Sequence, residues 1–369
     1  MAATVSAMAR HRSAPGAPLG LGIAGLGTAG AAMLAAALHH GGVRVAAVAD
    51  PVVDDLPIGA LGAGAHRTLD ALLEDPAVEA VHLATPTPLH AAHVRAAVAA
   101  GRHVIVEKPV TTHSGEVAAL AEAAAAAGVA VIVGHSESFE PYVRAARAAI
   151  DTGEVGDVVH VAAEKVTDWL RRPRRPDELD PASGGGIVRR QGVHQVDVVR
   201  SLVPGAGFEV CRARLHGGGR LRVPAGYVAW LEEPGAVTAL LLQDGTGVRV
   251  AAGPDARPEG PQEAEKRRRT RAWVERAVSG GGPLRLGRHD TERLAVLGSE
   301  GFLVGSSAGV VVERGGDVVE RDLGAWPDGR MAVLDELLAV LDGDRAFHDL
   351  AWGAENLRLC EAIDRLGSA

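Results

Sequence analysis

The sequence predicts an α/β domain followed by an α+β domain with a large, mainly antiparallel sheet. Three observations predict it. A short apolar run beginning at Leu21 turns through Gly25, Gly27 and Gly30 into an alanine-rich segment. From there to Phe139, apolar runs of strand length alternate with helical stretches, which requires a parallel sheet with crossover helices. Beyond Pro141, strand-like runs follow one another with few helices between them, the pattern of antiparallel pairing. At 369 residues the chain suits two domains with an ample core.

The expected organisation is a disordered leader over residues 1–17, a Rossmann dinucleotide-binding domain over 18–139 and a substrate-binding and oligomerisation domain over 140–369. Residues 1–17 are small, basic and proline-bearing, with no long apolar run, which fits a disordered leader better than a signal peptide. The segment Leu-Gly-Ile-Ala-Gly-Leu-Gly-Thr-Ala-Gly, Leu21 to Gly30, is the dinucleotide fingerprint in its proper setting. Gly25 permits the strand-to-helix turn, Gly27 lets the backbone approach a pyrophosphate, and Gly30 lets the helix lie close on its strand. The diphosphate then meets backbone N–H groups at a helix N-terminus. Thr28 to His40 reads as that helix, stopped by Gly41 and Gly42, and Val43 to Val48 as a second strand leading to Asp50. A carboxylate there suits the adenosine ribose diol; the alternative is an ordinary strand-end aspartate before Pro51.

The alternation continues. Thr68 to Leu73 reads as helix, Val78 to Ala84 as a buried strand ending in Thr85-Pro86-Thr87-Pro88, and Leu89 to Ala100 as a helix closed by Gly101. His103 to Val106 is a strand running into Glu107-Lys108-Pro109, Ser114 to Ala127 a helix, and Val129 to Val133 a strand leading to Gly134 and His135. That makes five strands in this domain. Strand ends on the carboxyl side are where open α/β sheets bind ligands. The second domain begins with a helix, Tyr142 to Thr152, and strand-like runs follow at Val158 to Lys165, Phe208 to Leu215, Tyr227 to Leu231, Val237 to Leu242 and Val248 to Ala251. Gly253 to Gly282 reads as a surface excursion, its Lys266 to Arg269 run as a solvated helix face rather than a binding patch. Met331 to Leu341 and Ala354 to Leu366 close the chain as helices.

Composition narrows the partners. The net charge of -8 makes nucleic acid or an anionic membrane unexpected, and no segment offers the roughly 18 continuous apolar residues of a membrane span. Cys211 and Cys360 have neither metal-ligand nor disulfide spacing, so both are expected as buried thiols in a cytoplasmic protein, and no metal site is expected. Lysine is scarce: Lys108, Lys165 and Lys266 stand against an arginine-rich background.

Chemistry is suggested in three places. Lys108 ends a strand on the cofactor side, where an ammonium can hydrogen-bond a substrate hydroxyl or the nicotinamide carboxamide and shift its pKa as a guanidinium cannot. The alternative is a surface ion pair with Glu107. Gly184-Gly185-Gly186 feeds a stretch read as a helix on which Arg190, His194 and Asp197 share a face at spacings of four and three; histidine suits general acid/base work near neutral pH. Thr167 to Pro176 puts four arginines among prolines beside Trp169, a segment that suits carboxylate recognition or is an exposed basic loop.

The order Gly25-x-Gly27-x-x-Gly30, Asp50, Thr85-Pro86, Glu107-Lys108-Pro109, Gly184-Gly185-Gly186 and Gly192-x-His194-x-x-Asp197 resembles the glucose-fructose oxidoreductase / inositol dehydrogenase / rhizopine-catabolism (Gfo/Idh/MocA) family. Thr167 to Trp169, Arg171 to Leu179 and Arg190 to Gln195 are similar to its branch of phthalate cis-dihydrodiol dehydrogenases. The resemblance implies a nicotinamide cofactor, NAD with NADP possible, on the first domain; a substrate on the second; and a homodimer or homotetramer through the open sheet. It maps the Glu-Lys-Pro lysine to Lys108 and the acid/base histidine to His194, the two expected catalytic residues, converging on one pocket. The expected cofactor residues are Gly25, Gly27, Thr28, Ala29, Gly30, Asp50, Pro51, Thr85, Pro86, His90, Glu107 and Lys108. Those expected for substrate are His135, Trp169, Arg189, Arg190, Gln191 and His194. One departure stands out: many members carry an aspartate four residues before the histidine, where this chain has Arg190. That argues against an aldose or inositol substrate and places a positive charge where a carboxylated ring can be held.

The expected chemistry is hydride transfer between nicotinamide and a hydroxyl- or carbonyl-bearing carbon of a small, cyclic, anionic substrate. His194 receives the hydroxyl proton and Lys108 polarises or relays. Asp50 favours NAD, since a 2′-phosphate would meet a carboxylate and no arginine directly follows it. A tailoring reductase for a keto, enone or imine group and a non-catalytic nucleotide-binding regulator are the alternatives.

Overall fold

The computed structural model describes residues 17–167, 169–171, 174–217, 224–244, 268, 271–272, 274–276, 278–279, 291–321, 323 and 328–368. They divide between two compact units. In the first, strands β1 (Leu19–Ala24), β2 (Val43–Ala49), β3 (Gly64–His66), β4 (Ala80–Leu83), β5 (His103–Val106) and β6 (Val131–Val133) alternate with helices α1 (Thr28–His39), α2 (Leu69–Glu74), α3 (His90–Ala99) and α4 (Val117–Ala127). All strand pairs in this sheet are parallel, in the order β3-β2-β1-β4-β5-β6. Every residue of β1 is buried, as a strand with a helix layer on each face must be. The order reverses at β1 and β4, so the carboxyl ends of these strands flank the crevice where doubly wound sheets take their ligands. Leu72, Val94, Val106, Leu120 and Leu350 pack in one core on this sheet.

The second unit opens with α5 (Pro141–Asp151), β7 (Val158–Val166), the single turn α6 (Pro176–Leu179) and α7 (Val193–Leu202). Strands β8 (Glu209–Gly217), β9 (Pro224–Glu232), β10 (Thr238–Asp244), β11 (Thr291–Gly298), β12 (Gly301–Ser306), β13 (Gly309–Arg314) and β14 (Asp317–Arg321) complete an eight-stranded sheet, ordered β14-β13-β12-β11-β7-β10-β9-β8. Its pairs are antiparallel except β7 with β10. The period-2 alternation turns Val161, Ala163 and Lys165 of β7 inward, where α7 lies across β7 and β10 and α5 across β12 and β13. Trp230, Leu297, Phe302 and Val304 are exposed on this sheet.

Two last helices, α8 (Gly329–Leu341) and α9 (Leu350–Gly367), end the chain. The expected single cut after Phe139 is replaced by a discontinuous division: Arg330 to Ala354 returns to the first unit, and Glu355 onward belongs to the second. The return has local causes. Val133 N–H donates to the His348 carbonyl, His40 meets Asp335, and Leu338 fills the space over Gly42.

Other expectations are also corrected. The first sheet has six strands, not five, because β3 is a three-residue edge strand, too short for an apolar period to mark it. Strands β11 to β14 went unread, although they form half of the second sheet. Their outward positions are apolar as well, which blurs the alternation that marks a half-buried strand. Val248 to Ala251 lies outside the described residues, as does most of Gly253 to Gly282. Within Lys266 to Arg269 only Arg268 is described; it is helical and exposed. Cys360 is buried, but Cys211, on edge strand β8, is exposed. Among the described residues no helix is long and apolar enough to cross a membrane.

Candidate functional site

In the first unit the glycine turn has the geometry a diphosphate needs. Gly25 has φ +86°, and a Cβ there would come within 2.7 Å of the Ala84 carbonyl oxygen. At Gly30 a Cβ would stand 1.8 Å from the Gly25 oxygen, so only glycine lets α1 lie this close to the turn. Gly27 is the opposite case, with no heavy atom within 4 Å of where its Cβ would be. It is the N-cap of α1 and supplies no side-chain cap, so the first amides of α1, through Thr28 and Ala29, point past a bare glycine. At the end of β2, Asp50 accepts hydrogen bonds from the amides of Leu26 (2.8 Å) and Val52 (3.0 Å), beside Pro51. The carboxylate is thereby fixed against the glycine turn. These residues fit a nicotinamide dinucleotide: an open cradle for the diphosphate and a placed acceptor for the ribose diol.

The ends of β4 and β5 are braced on each other. His90 is buried and turns its two ring nitrogens to the carbonyl oxygens of Thr85 and Pro109, each at 2.8 Å, while the Thr85 hydroxyl meets His93. Both ring nitrogens of His90 are thus engaged by carbonyls of two strand ends. Pro86 leads into the turn at Thr87. Lys108 is half-buried just beyond β5, and its peptide bond to Pro109 is cis. Glu107 faces the buried His82 rather than a surface partner, at 3.4 Å. Burial alone would raise the pKa of Glu107, but the contact with His82 and the charges of Lys108 and Arg330 outweigh it and hold the carboxyl at about 2. His135, at the end of β6, is buried with its ring 5.7 Å from that of His348, a packing position rather than an open one.

In the second unit the Gly184 to Asp197 stretch is not a plain helix. Gly185 lies where a Cβ would come within 2.3 Å of the Asp177 oxygen, and Val188 to Gly192 then winds as a π-helix before α7 begins. A π turn pairs residue i with i+5, so the spacing of four no longer puts Arg190 and His194 on one face. Each side chain has its own partner. Arg190 reaches Glu178 of α6 (3.4 Å), His194 lies with Nδ1 3.3 Å from Glu137, and Asp197 accepts from Asn356 (3.0 Å). Gln191 is half-buried in the π turn. Arg189 is nearly buried and pairs with Asp364 at 2.9 Å. That pair ties the π turn to α9. Trp169 is in the core, under the guanidinium of Arg174 at 4.9 Å from the ring centre. Arg174 and Arg175 each approach Glu178 to 4.0 Å, so with Arg190 three guanidiniums gather on one glutamate. Burial would raise the Glu178 pKa, but the Arg175 amide and these charges lower it. Asp168, Arg172 and Pro173 lie outside the described residues.

The sequence reading missed the ionic group around Glu137, the residue that approaches His194. Lys165, buried on β7, contacts both Glu137 and Glu292, the latter at 2.7 Å, and the Tyr142 hydroxyl donates to Glu292 at 2.9 Å. Burial disfavours the ammonium, yet the two carboxylates raise its pKa overall. These side chains line a recess with Gln195. Gln195 holds α7 to the sheet by donating to the carbonyls of Ala163 and Leu242 and accepting from the Tyr227 hydroxyl. One signal was present: Lys165 is one of three lysines in the chain, on the inward parity of an alternating strand.

A six-stranded parallel sheet with this glycine turn at its switch point, followed by a large mixed sheet, defines a two-unit nicotinamide-dinucleotide-binding protein. The chain belongs to the Gfo/Idh/MocA oxidoreductase family: residues 19–135 match the oxidoreductase family with NAD-binding Rossmann fold, and residues 143–239 match the GFO/IDH/MocA C-terminal domain. It is 37% identical over 195 residues to 1-carboxy-3-chloro-3,4-dihydroxycyclohexa-1,5-diene dehydrogenase of Comamonas testosteroni, covering 52% of this chain and 49% of that one. It is 32% identical over 184 residues to inositol 2-dehydrogenase of Rhizobium meliloti strain 1021, covering 49% and 54%. The chain thus spans about half the length of these curated relatives. A crystal structure of a candidate dehydrogenase from Bordetella bronchiseptica RB50 superposes over 96% of this chain and 98% of that one, with a TM-score of 0.77 and 29% identity.

Proposed function

We propose that the protein is an NAD-dependent dehydrogenase that oxidises a ring hydroxyl of a small, carboxylated cyclic diol. The observation that carries this reading is the continuous stretch from the π turn into α7. It presents Arg190, together with Arg174 and Arg175, around the Glu178 carboxylate, and follows it with His194, a titratable group suited to accept a hydroxyl proton. The acid named in the Comamonas testosteroni relative carries a carboxylate and two ring hydroxyls, the chemistry such a pair of groups would take.

When bound, the nicotinamide supplies the hydride acceptor. Gly27 and the first amides of α1 hold the diphosphate, and Asp50 accepts from the ribose diol. With Asp54 and Asp55 close behind in sequence, a 2′-phosphate would face carboxylates, so NAD is preferred over NADP. His194 takes the hydroxyl proton through its Nε2. The guanidiniums at 174 and 190 orient the carboxylate. The exposed apolar side chains of the second sheet, Trp230, Leu297, Phe302 and Val304, support assembly of a homodimer or homotetramer through that face.

The test is NADH formation with the 3-chloro diol acid named above, set against myo-inositol and D-xylose. Turnover of the acid alone is expected, and Arg190→Gln should raise its KM about 10-fold or more while leaving the NADH Kd unchanged. Faster turnover of inositol, or a KM indifferent to the substitution, refutes the substrate class.

A further inference from the structure

Three acid/base groups of the second unit form a cluster that the reading above does not require, and the first of them approaches His194: Glu137, just before α5; Lys165, on β7; and Glu292, on β11. The carboxylate of Glu137 lies 3.3 Å from Nδ1 of His194 and contacts the ammonium of Lys165. Glu292 takes Lys165 from the other side and is itself held by the Tyr142 hydroxyl. Lys165 is 3% exposed and His194 8%. Such a buried ionic cluster is weak evidence for stability, because desolvating its charges offsets most of their attraction and apolar residues of similar volume commonly do as well. One of the chain's three lysines is buried here, between two glutamates.

We propose that Glu137, fixed by Lys165, is the carboxylate that positions His194 for proton transfer. No carboxylate comes from the preceding turn of the same helical stretch, where Arg190 faces Glu178, and Asp197, one turn on, is engaged with Asn356. A carboxylate within ion-pair distance of Nδ1 favours the proton on that nitrogen, which directs the Nε2 lone pair to the hydroxyl proton. As the substrate O–H breaks and the N–H at Nε2 forms, the ring becomes an imidazolium whose charge Glu137 offsets. Lys165 keeps Glu137 ionised and aimed, and the Glu292–Tyr142 pair keeps Lys165 in place. Glu137 and Lys165 are thus positioning residues acting through His194. This rests on His194 being the proton acceptor, and the experiment separates the two ideas.

The imidazole of His194 is followed by nitrogen NMR in NAD-saturated, histidine-labelled protein, with His194→Ala to assign its signals. The parent should show the tautomer protonated at Nδ1. In Glu137→Gln the same ring should titrate at lower pH than in the parent, because the charge that favours the imidazolium is gone. The turnover of the 3-chloro diol acid should fall about 10-fold or more, with the NADH Kd unchanged. Because Glu137→Gln leaves Lys165 with one carboxylate, the double variant Glu137→Gln/Lys165→Met, which removes the pair together, should fold and show the same NMR change. A His194 titration identical in parent and both variants overturns the proposal, since a purely structural cluster would alter stability and not the ring. A shifted ring with an unchanged rate upholds the Glu137 contact and overturns His194 as the proton acceptor.

Discussion

At the scale of the residue, Gly27 and Gly30 stand three positions apart and do opposite things. A methyl at Gly30 collides with the Gly25 oxygen, whereas a methyl at Gly27 meets nothing of the protein and Gly27 already has a φ of -65°, open to any residue. Gly27→Ala should therefore leave the melting temperature within a degree or two and weaken NADH binding about 10-fold or more by filling the space of the diphosphate. Gly30→Ala should lower stability by about 1–3 kcal/mol as α1 is pushed off its strand. Calorimetry with fluorescence titration of NADH checks both. Equal effects of the two substitutions on stability would show that Gly27 is a turn residue only. The pattern of glycines in the sequence predicts that all three matter, but the division of labour depends on which atoms approach each Cα.

At the scale of the element, the end of β5 is where a charge is stored. A carboxyl whose folded-state pKa lies below its unfolded value binds a proton less readily in the native state. It favours folding above the unfolded pKa and loses that contribution as the pH falls through the folded one. For Glu107, held at about 2 from an ordinary 4.5, the window runs from about pH 4.5 down to about pH 2, and the contribution is on the order of 3 kcal/mol. Urea denaturation across this range should show the parent losing its advantage over Glu107→Gln as acid is added. Parallel pH profiles for the two proteins would show that His82 and the neighbouring cations do not hold the carboxyl ionised. The π turn before α7 is the second lesson at this scale. Spacing on an ideal helix put Arg190 beside His194, and a single π segment sends them to Glu178 and Glu137 instead.

At the scale of the whole molecule, the open face of the second sheet is the surface proposed for assembly. Leu297 pairs with Phe302 on β11 and β12, and Trp230 stacks on His160 at 5.6 Å, so large apolar groups share one exposed face. A continuous apolar surface on a sheet calls for a partner. If the proposed homo-oligomer forms through this face, the double change Trp230→Asp/Phe302→Asp should convert it to a monomer in sedimentation velocity without loss of secondary structure. A parent that is already monomeric at micromolar concentration, or an assembly indifferent to both charges, would assign the face another role. The family assignment also belongs at this scale, because it rests on the succession of a dinucleotide-binding unit and a matching C-terminal domain rather than on any one residue.

What the sequence determined by itself was whatever is local or periodic. The glycine turn, the β-α alternation of the first unit, the strand ending at Glu107 and Lys108, and the helix carrying His194 are written in near-neighbour patterns. A period of 2 or 3.6, a positive φ or a cap is decided within a few residues. Tertiary structure alone decided the rest. Arg189 has its ion-pair partner in Asp364, 175 positions away. Lys165 reads as a scarce residue without a role until Glu137 and Glu292 arrive from a turn and from a strand that the apolar pattern did not reveal. Charges are neutralised by whatever the fold brings within about 4 Å, and chain separation carries no record of that distance.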